Sequence, residues 1–138
     1  MDSSTLNGQI WELTTRWEKG HPGSRAHGER VAVYSVATGH KLGLDASDLL
    51  KVRVLAELSE IPNAISEIAP NAIQNSTYRE VVALCKNFDA RRSGYGELSA
   101  MSDAEAVTWL DRDARLTYSA ALVDALLAVQ AIIQPIGT

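Results

Sequence analysis

Apolar residues return every three or four positions along nearly the whole chain, and no stretch alternates apolar and polar residues as a half-buried strand would. Leu6, Ile10, Leu13 and Trp17 are spaced four, three and four apart, which places them on one face of a helix over residues 4–19. A chain built only of such stripes must bury helix faces against one another, so the expected fold class is all-α. Gly20-His21-Pro22-Gly23 breaks the first helix, because glycine is permissive and proline lacks a donor. Ser24 is suited to cap a second helix over 24–42, with Val31, Tyr34 and Leu42 on its core face and Gly43 just past its end.

Asp45 is placed to cap a third helix, with Asp48 in its first turn, and Pro62 marks its end. Leu49, Val52, Leu55, Ala56 and Leu58 are its apolar residues. Residues 62–75 read as a short helix or irregular turn around Ile65 and Ile68. A fourth long helix over 76–91 carries Val81, Val82, Leu84, Cys85 and Phe88, and Arg91 to Gly96 reads as a loop. Ser102 and Glu105 form a capping box for a helix running to 112 around Ala106, Val107 and Leu110. Thr117 is the expected cap of a last helix over 118–133, with Leu122, Val123, Leu126, Leu127 and Val129, which Pro135 stops. The expectation is a single compact bundle of about six helices over residues 1–138, with 1–20 as a possible interface element.

Composition narrows the partners. The chain carries a net charge of −4, which disfavours nucleic acid. Its apolar runs are too short to span a bilayer, and Met1-Asp2-Ser3-Ser4 begins no secretory signal, so a cytoplasmic location is expected. Cys85 is the only cysteine and lies in an apolar run, which points to a buried packing residue. The chain contains no phosphate-binding loop, nucleophile elbow, zinc-protease or dinucleotide motif.

One ordered set of segments carries a resemblance. His27-Gly28-Glu29-Arg30-Val31-Ala32 opens the second helix, Leu42-Gly43-Leu44 forms a turn, and Val52-Arg53-Val54-Leu55-Ala56-Glu57-Leu58 follows. Later come Val81 to Ala90, ending in Phe88-Asp89-Ala90, and two helices beginning near Ser102 and Tyr118. Over about residues 24–130 this order resembles the HD-GYP branch of the HD phosphohydrolases, whose side chains bind two or more metal ions that activate water against a phosphodiester. Carried over by position, His27 matches the first ligand, Ser59-Glu60 stand where the family has His-Asp, and Lys86 stands where it has a later aspartate. The family's following glycine and lysine become Pro62 and Asn63. The stretch with the family's Gly-Tyr-Pro motif is missing, since Gly94-Tyr95-Gly96 lies on the wrong side of Phe88-Asp89-Ala90. Serine is a poor ligand for a transition metal, and a protonated ammonium is none.

The resemblance therefore implies a scaffold without its metal site, as in the metal-free HDOD modules: no catalytic residue, no cofactor and no metal. His27, Arg30, Ser59, Glu60, Lys86 and Asp89 remain as relic site positions. Lys86 is expected to face Glu60 and replace the metal's charge, and Asp89 to brace the Arg91-Arg92 turn. Those arginines read as solvated, Glu57 and Glu60 as a solvated helix edge, His21 as a loop residue, and His40 as a surface residue near a helix C-terminus. Trp11, Trp17 and Trp109 are all expected in the core, although Trp11 lies off the stripe and is the candidate for exposure at an interface.

The function expected is a regulatory or protein-interaction module in bacterial signalling, acting through a protein partner or self-association. Two alternatives stay open. One is a divergent phosphohydrolase using His27, Glu60 and Asp89 with one metal, which requires the three to converge within a few ångströms. The other is a sensor that binds a nucleotide in the old pocket without chemistry.

Overall fold

A computed structural model describes residues 3–96 and 99–133, which contain eight α-helices and one 3-10 turn. They are α1 (Ser3–Gly20), α2 (Ser24–Lys41), α3 (Ala46–Leu58), α4 (Ala64–Ile68), α5 (Pro70–Ile73), α6 (Ser76–Ser93), α7 (Asp103–Arg112) and α8 (Ala120–Ile132). The all-helical expectation holds among the described residues. The count exceeds six because the 62–75 segment forms two short helices, with Pro70 as the first residue of α5. Proline is favoured there, since the donor it lacks would be unpaired anyway. Pro135 lies outside the described residues.

α2 is the hub, packed on α1, α3, α6 and α8. One buried cluster draws Ile10 from α1, Val31 and Tyr34 from α2, Val52 and Leu58 from α3, Leu84 and Phe88 from α6, Leu110 from α7 and Leu126 from α8. α2 packs tightly on α3 at Gly39, where a Cβ would lie 2.9 Å from the Leu49 side chain. Cys85 is buried, as expected, and burial pushes its thiol up to about 12. No helix among the described residues is long and apolar enough to cross a membrane.

Local chemistry explains the helix ends, and some differ from the sequence expectation. Asp45 caps α3 in a reciprocal box with Asp48, and Ser102 does the same for α7 with Glu105. Asp48 also accepts the Tyr78 hydroxyl, tying the starts of α3 and α6 together. Ser24 does not cap α2. Gly23 is the cap residue, with φ 88°, and the Glu18 carboxylate accepts the Gly23 and Arg25 amides at 2.8 and 2.9 Å. The cap is therefore a side chain from the preceding helix, placed by the tight Gly20–Gly23 link.

α3 stops at Leu58 because Pro62 has no N–H to donate to the Leu58 carbonyl four residues back, which accepts from Ile61 instead at 3.0 Å. α6 runs through Ser93, so Arg91 and Arg92 are helical rather than in a loop, and Gly94 ends it in the left-handed region. Ser119, not Thr117, caps α8, since a 3-10 turn at Ala114–Leu116 takes up the residues before it. Leu42 is more than one-third exposed and lies off the core face, at the point where α2 terminates.

Candidate functional site

His27 and Arg30 are one helical turn apart on α2, so both side chains leave the same face toward α6. There they meet Asp89. His27 Nδ1 lies 2.7 Å from Asp89 Oδ2. Arg30 donates through Nε to Oδ1 at 2.8 Å and through an Nη to Oδ2 at 3.1 Å. The two-pronged guanidinium contact fits a carboxylate's geometry. Asp89 is fully buried. Burial alone would raise its pKa, but the hydrogen bonds from His27 and Arg30 and the Arg30 charge outweigh it and hold the carboxyl below its ordinary value. Asp89 thus does not brace the turn of Arg91 and Arg92 through its carboxylate, as the sequence suggested.

Those arginines are pinned elsewhere rather than left to solvent. Arg91 donates to Asn87 at 3.0 Å and lies over the Trp109 ring. Arg92 donates to Asp103 and to the Tyr34 hydroxyl.

The other face of His27 looks toward the end of α3. Its Nε2 is 3.6 Å from Glu60, and Tyr95 donates its hydroxyl to the same carboxylate at 2.7 Å. The Tyr95 ring also stacks on the His27 ring, with centroids 4.1 Å apart. Burial and the Glu60 carboxylate push the Tyr95 phenol up to about 12, so it stays a donor at neutral pH. Tyr95 sits between Gly94 (φ 74°) and Gly96 (φ 78°), two left-handed residues that turn the chain back over the site.

Lys86 does not pair with Glu60. Among the described residues, Glu60's partners are Tyr95 and His27, and Lys86 forms no ion pair with any of them. Lys86 instead helps line an open groove of about 430 Å3 with His27, Glu60, Asn87 and Tyr95. Ser59 lies on the far side, in a narrow crevice behind His27.

His27 therefore lies within a few ångströms of both Glu60 and Asp89, which approach its two different ring nitrogens. They form a carboxylate–imidazole–carboxylate chain, with His27 between the acids, rather than three donors aimed at one point. Among the described residues no group of three or more His, Cys, Asp or Glu side chains is arranged to hold a metal ion. Tyr95, the residue that completes the site, escaped the sequence reading because it lies outside the aligned family positions. Its signal was an aromatic residue flanked by glycines.

Glu57 is not on a solvated edge. Its side chain is only 15 % exposed, with Oε2 3.4 Å from Arg53 Nε. Burial raises its pKa, and that effect outweighs the Arg53 charge. The folded state therefore holds a proton on Glu57 more tightly than the unfolded chain does. Glu57's favourable contribution is complete below the ordinary value of 4.5 and is lost as pH rises through the higher folded value. Glu57→Gln is expected to be more stable than the parent at pH 7, with the advantage shrinking below pH 4.5. Urea titrations at the two pH values check this, and a destabilised variant at pH 7 contradicts it.

Trp11 is not in the core: it is 60 % exposed, because it lies off the inward stripe of α1, and the Arg25 guanidinium lies 3.4 Å from the centre of its ring. Trp17 is half-buried and stacks on the exposed His21 ring, and Trp109 is half-buried under Arg91. His40 is exposed in the last turn of α2. No family model matches the chain, and neither a curated protein nor a solved structure matches it.

Proposed function

We propose that this chain is a non-catalytic regulatory or protein-interaction module, of the kind used in bacterial signalling, built on a scaffold that resembles the HD phosphohydrolases. The observation that carries the reading is the neutralised relic site. Arg30 supplies the countercharge of Asp89, and Tyr95 takes Glu60 and covers His27. Among the aligned ligand positions, His27 and Glu60 alone keep side chains suited to a metal. Serine and lysine occupy two of the others. An interaction role draws further support from an apolar groove of about 740 Å3 between α2 and α3, lined by Val33, Val36, Ala37 and Leu49.

The approach of both carboxylates to His27 gives the hydrolase reading its one favourable observation, and a single experiment separates the two. Purified protein is titrated with manganese or zinc and assayed with a chromogenic phosphodiester. The expected result is no one-to-one metal uptake and no turnover above the buffer rate. Stoichiometric metal that is lost in Glu60→Ala, together with turnover that disappears with it, overturns the proposal. Glu60 is a suitable probe because its side chain is 31 % exposed and its loss leaves the core intact.

A further inference from the structure

Behind His27, between α1 and the α2–α3 pair, lies a crevice of about 10 Å3. Among its lining residues are Trp17 of α1, Ser24 of α2 and Glu57 of α3. Each carries a side-chain atom that is sealed from solvent and has no hydrogen-bond partner among the described residues: Trp17 Nε1, Ser24 Oγ and Glu57 Oε2, the last facing only the longer Arg53 ion pair. Ser24 as a whole is only 8 % exposed. Buried polar atoms are almost always paired, because leaving one unmet forfeits its hydration without return. Three such atoms on one crevice, from three different helices, point to a shared guest. The other buried atoms without partners, on Gln9, Thr15 and Ser35, belong to residues that do not line it.

Size and chemistry define that guest. A volume of about 10 Å3 is the room of one water-sized molecule. An indole N–H only donates, an ionised carboxylate only accepts, and a hydroxyl does either. The guest must therefore accept from Trp17 and donate to Glu57. An ammonium ion cannot accept, and a halide cannot donate. Glu57 Oε2 already faces one cation, with Arg53 Nε at 3.4 Å, so no second positive charge is called for. A neutral molecule that donates and accepts, with three polar partners available, is water, for which two to four partners are usual.

We infer that one ordered water occupies this crevice, accepting from Trp17 Nε1, donating to Glu57 Oε2 and meeting the Ser24 hydroxyl as its third partner. The water stitches α1 to both α2 and α3. It fixes the first helix against the rear wall of the His27 site by polar contacts that add to the burial of Ile10. This site is independent of the proposed function, since a module of any role would contain it.

Nuclear magnetic resonance on the intact chain tests the inference through the indole protons, which are resolved from the backbone. The Trp17 indole proton is expected to show a cross-peak to a long-lived bound water, whereas the exposed Trp11 indole shows only rapid exchange with bulk solvent. Assignment comes from the unmodified protein, with Trp17→Phe as confirmation, so the test does not depend on that variant folding. A high-resolution crystal structure gives the second readout, with density for one water within hydrogen-bond distance of all three atoms. A Trp17 indole without a long-lived water contact overturns the inference, as does a structure in which Nε1 donates directly to Glu57 or another protein atom.

Discussion

Asp89→Ala is expected to remove about 3–5 kcal/mol of unfolding free energy, the usual cost of breaking a buried ionic cluster by deleting one partner. Asp89 is fully buried and engages His27 once and Arg30 twice, so the truncation leaves an inward-facing guanidinium and imidazole without their acceptor. For a domain of this size that loss is a large share of the total, about 5–15 kcal/mol. Equilibrium unfolding in urea, read by far-ultraviolet circular dichroism, measures it. A loss under about 1 kcal/mol, the range of exposed ion pairs, refutes the assignment of this cluster as structural.

The pH dependence has a definite sign. The folded Asp89 carboxyl titrates below its ordinary value of 3.8, so its stabilising contribution is present above 3.8 and is lost as pH falls through the lower folded value. The stability gap between the parent and Asp89→Asn should therefore close in acid and stay open at neutral pH.

The second large effect is expected at the neighbouring residue. Phe88→Ala should cost about 3–5 kcal/mol, the sum of lost transfer energy and the void left behind. Phe88 is 1 % exposed and meets Tyr34 edge to face, with ring centroids 5.6 Å apart. The void would also free Tyr34, whose hydroxyl accepts from Arg92, so the near-ultraviolet signal should weaken along with the urea midpoint. Leu116→Ala is the control. Leu116 is 88 % exposed, and its replacement should change stability by no more than about 0.5 kcal/mol. Equal losses in the two variants would contradict this placement of the core.

The helices were legible because helix formation is written in short intervals. Leu6, Ile10 and Leu13 mark the inward face of α1, and the boxes at Asp45 and Ser102 announce their helices within three residues. Features set by distant partners were not legible. Ser24 looked like a cap, but Glu18 reaches across the link and takes its place. His27 and Asp89 were both marked as site positions, yet nothing local shows that residues 62 apart share a hydrogen bond. Only the family resemblance sets Lys86 opposite Glu60. Tyr95, contributed by the glycine-flanked turn after α6, holds that carboxylate instead. A family resemblance speaks only of positions the family uses, and the residue that closes this site is not one of them.

The bond between Asp89 and the α2 pair has a consequence for how the chain settles on one arrangement. Apolar faces tolerate sliding, since one leucine can replace another in a groove. A shift of α6 along α2 by one turn, about 5.4 Å, would keep much of the greasy contact but pull the carboxylate away from both donors. Such a slipped packing would strand a charge in the interior, a penalty that no repacking of methyl groups recovers. The cluster thus acts as a register pin, selecting one alignment of two helices that hydrophobicity alone would leave nearly degenerate.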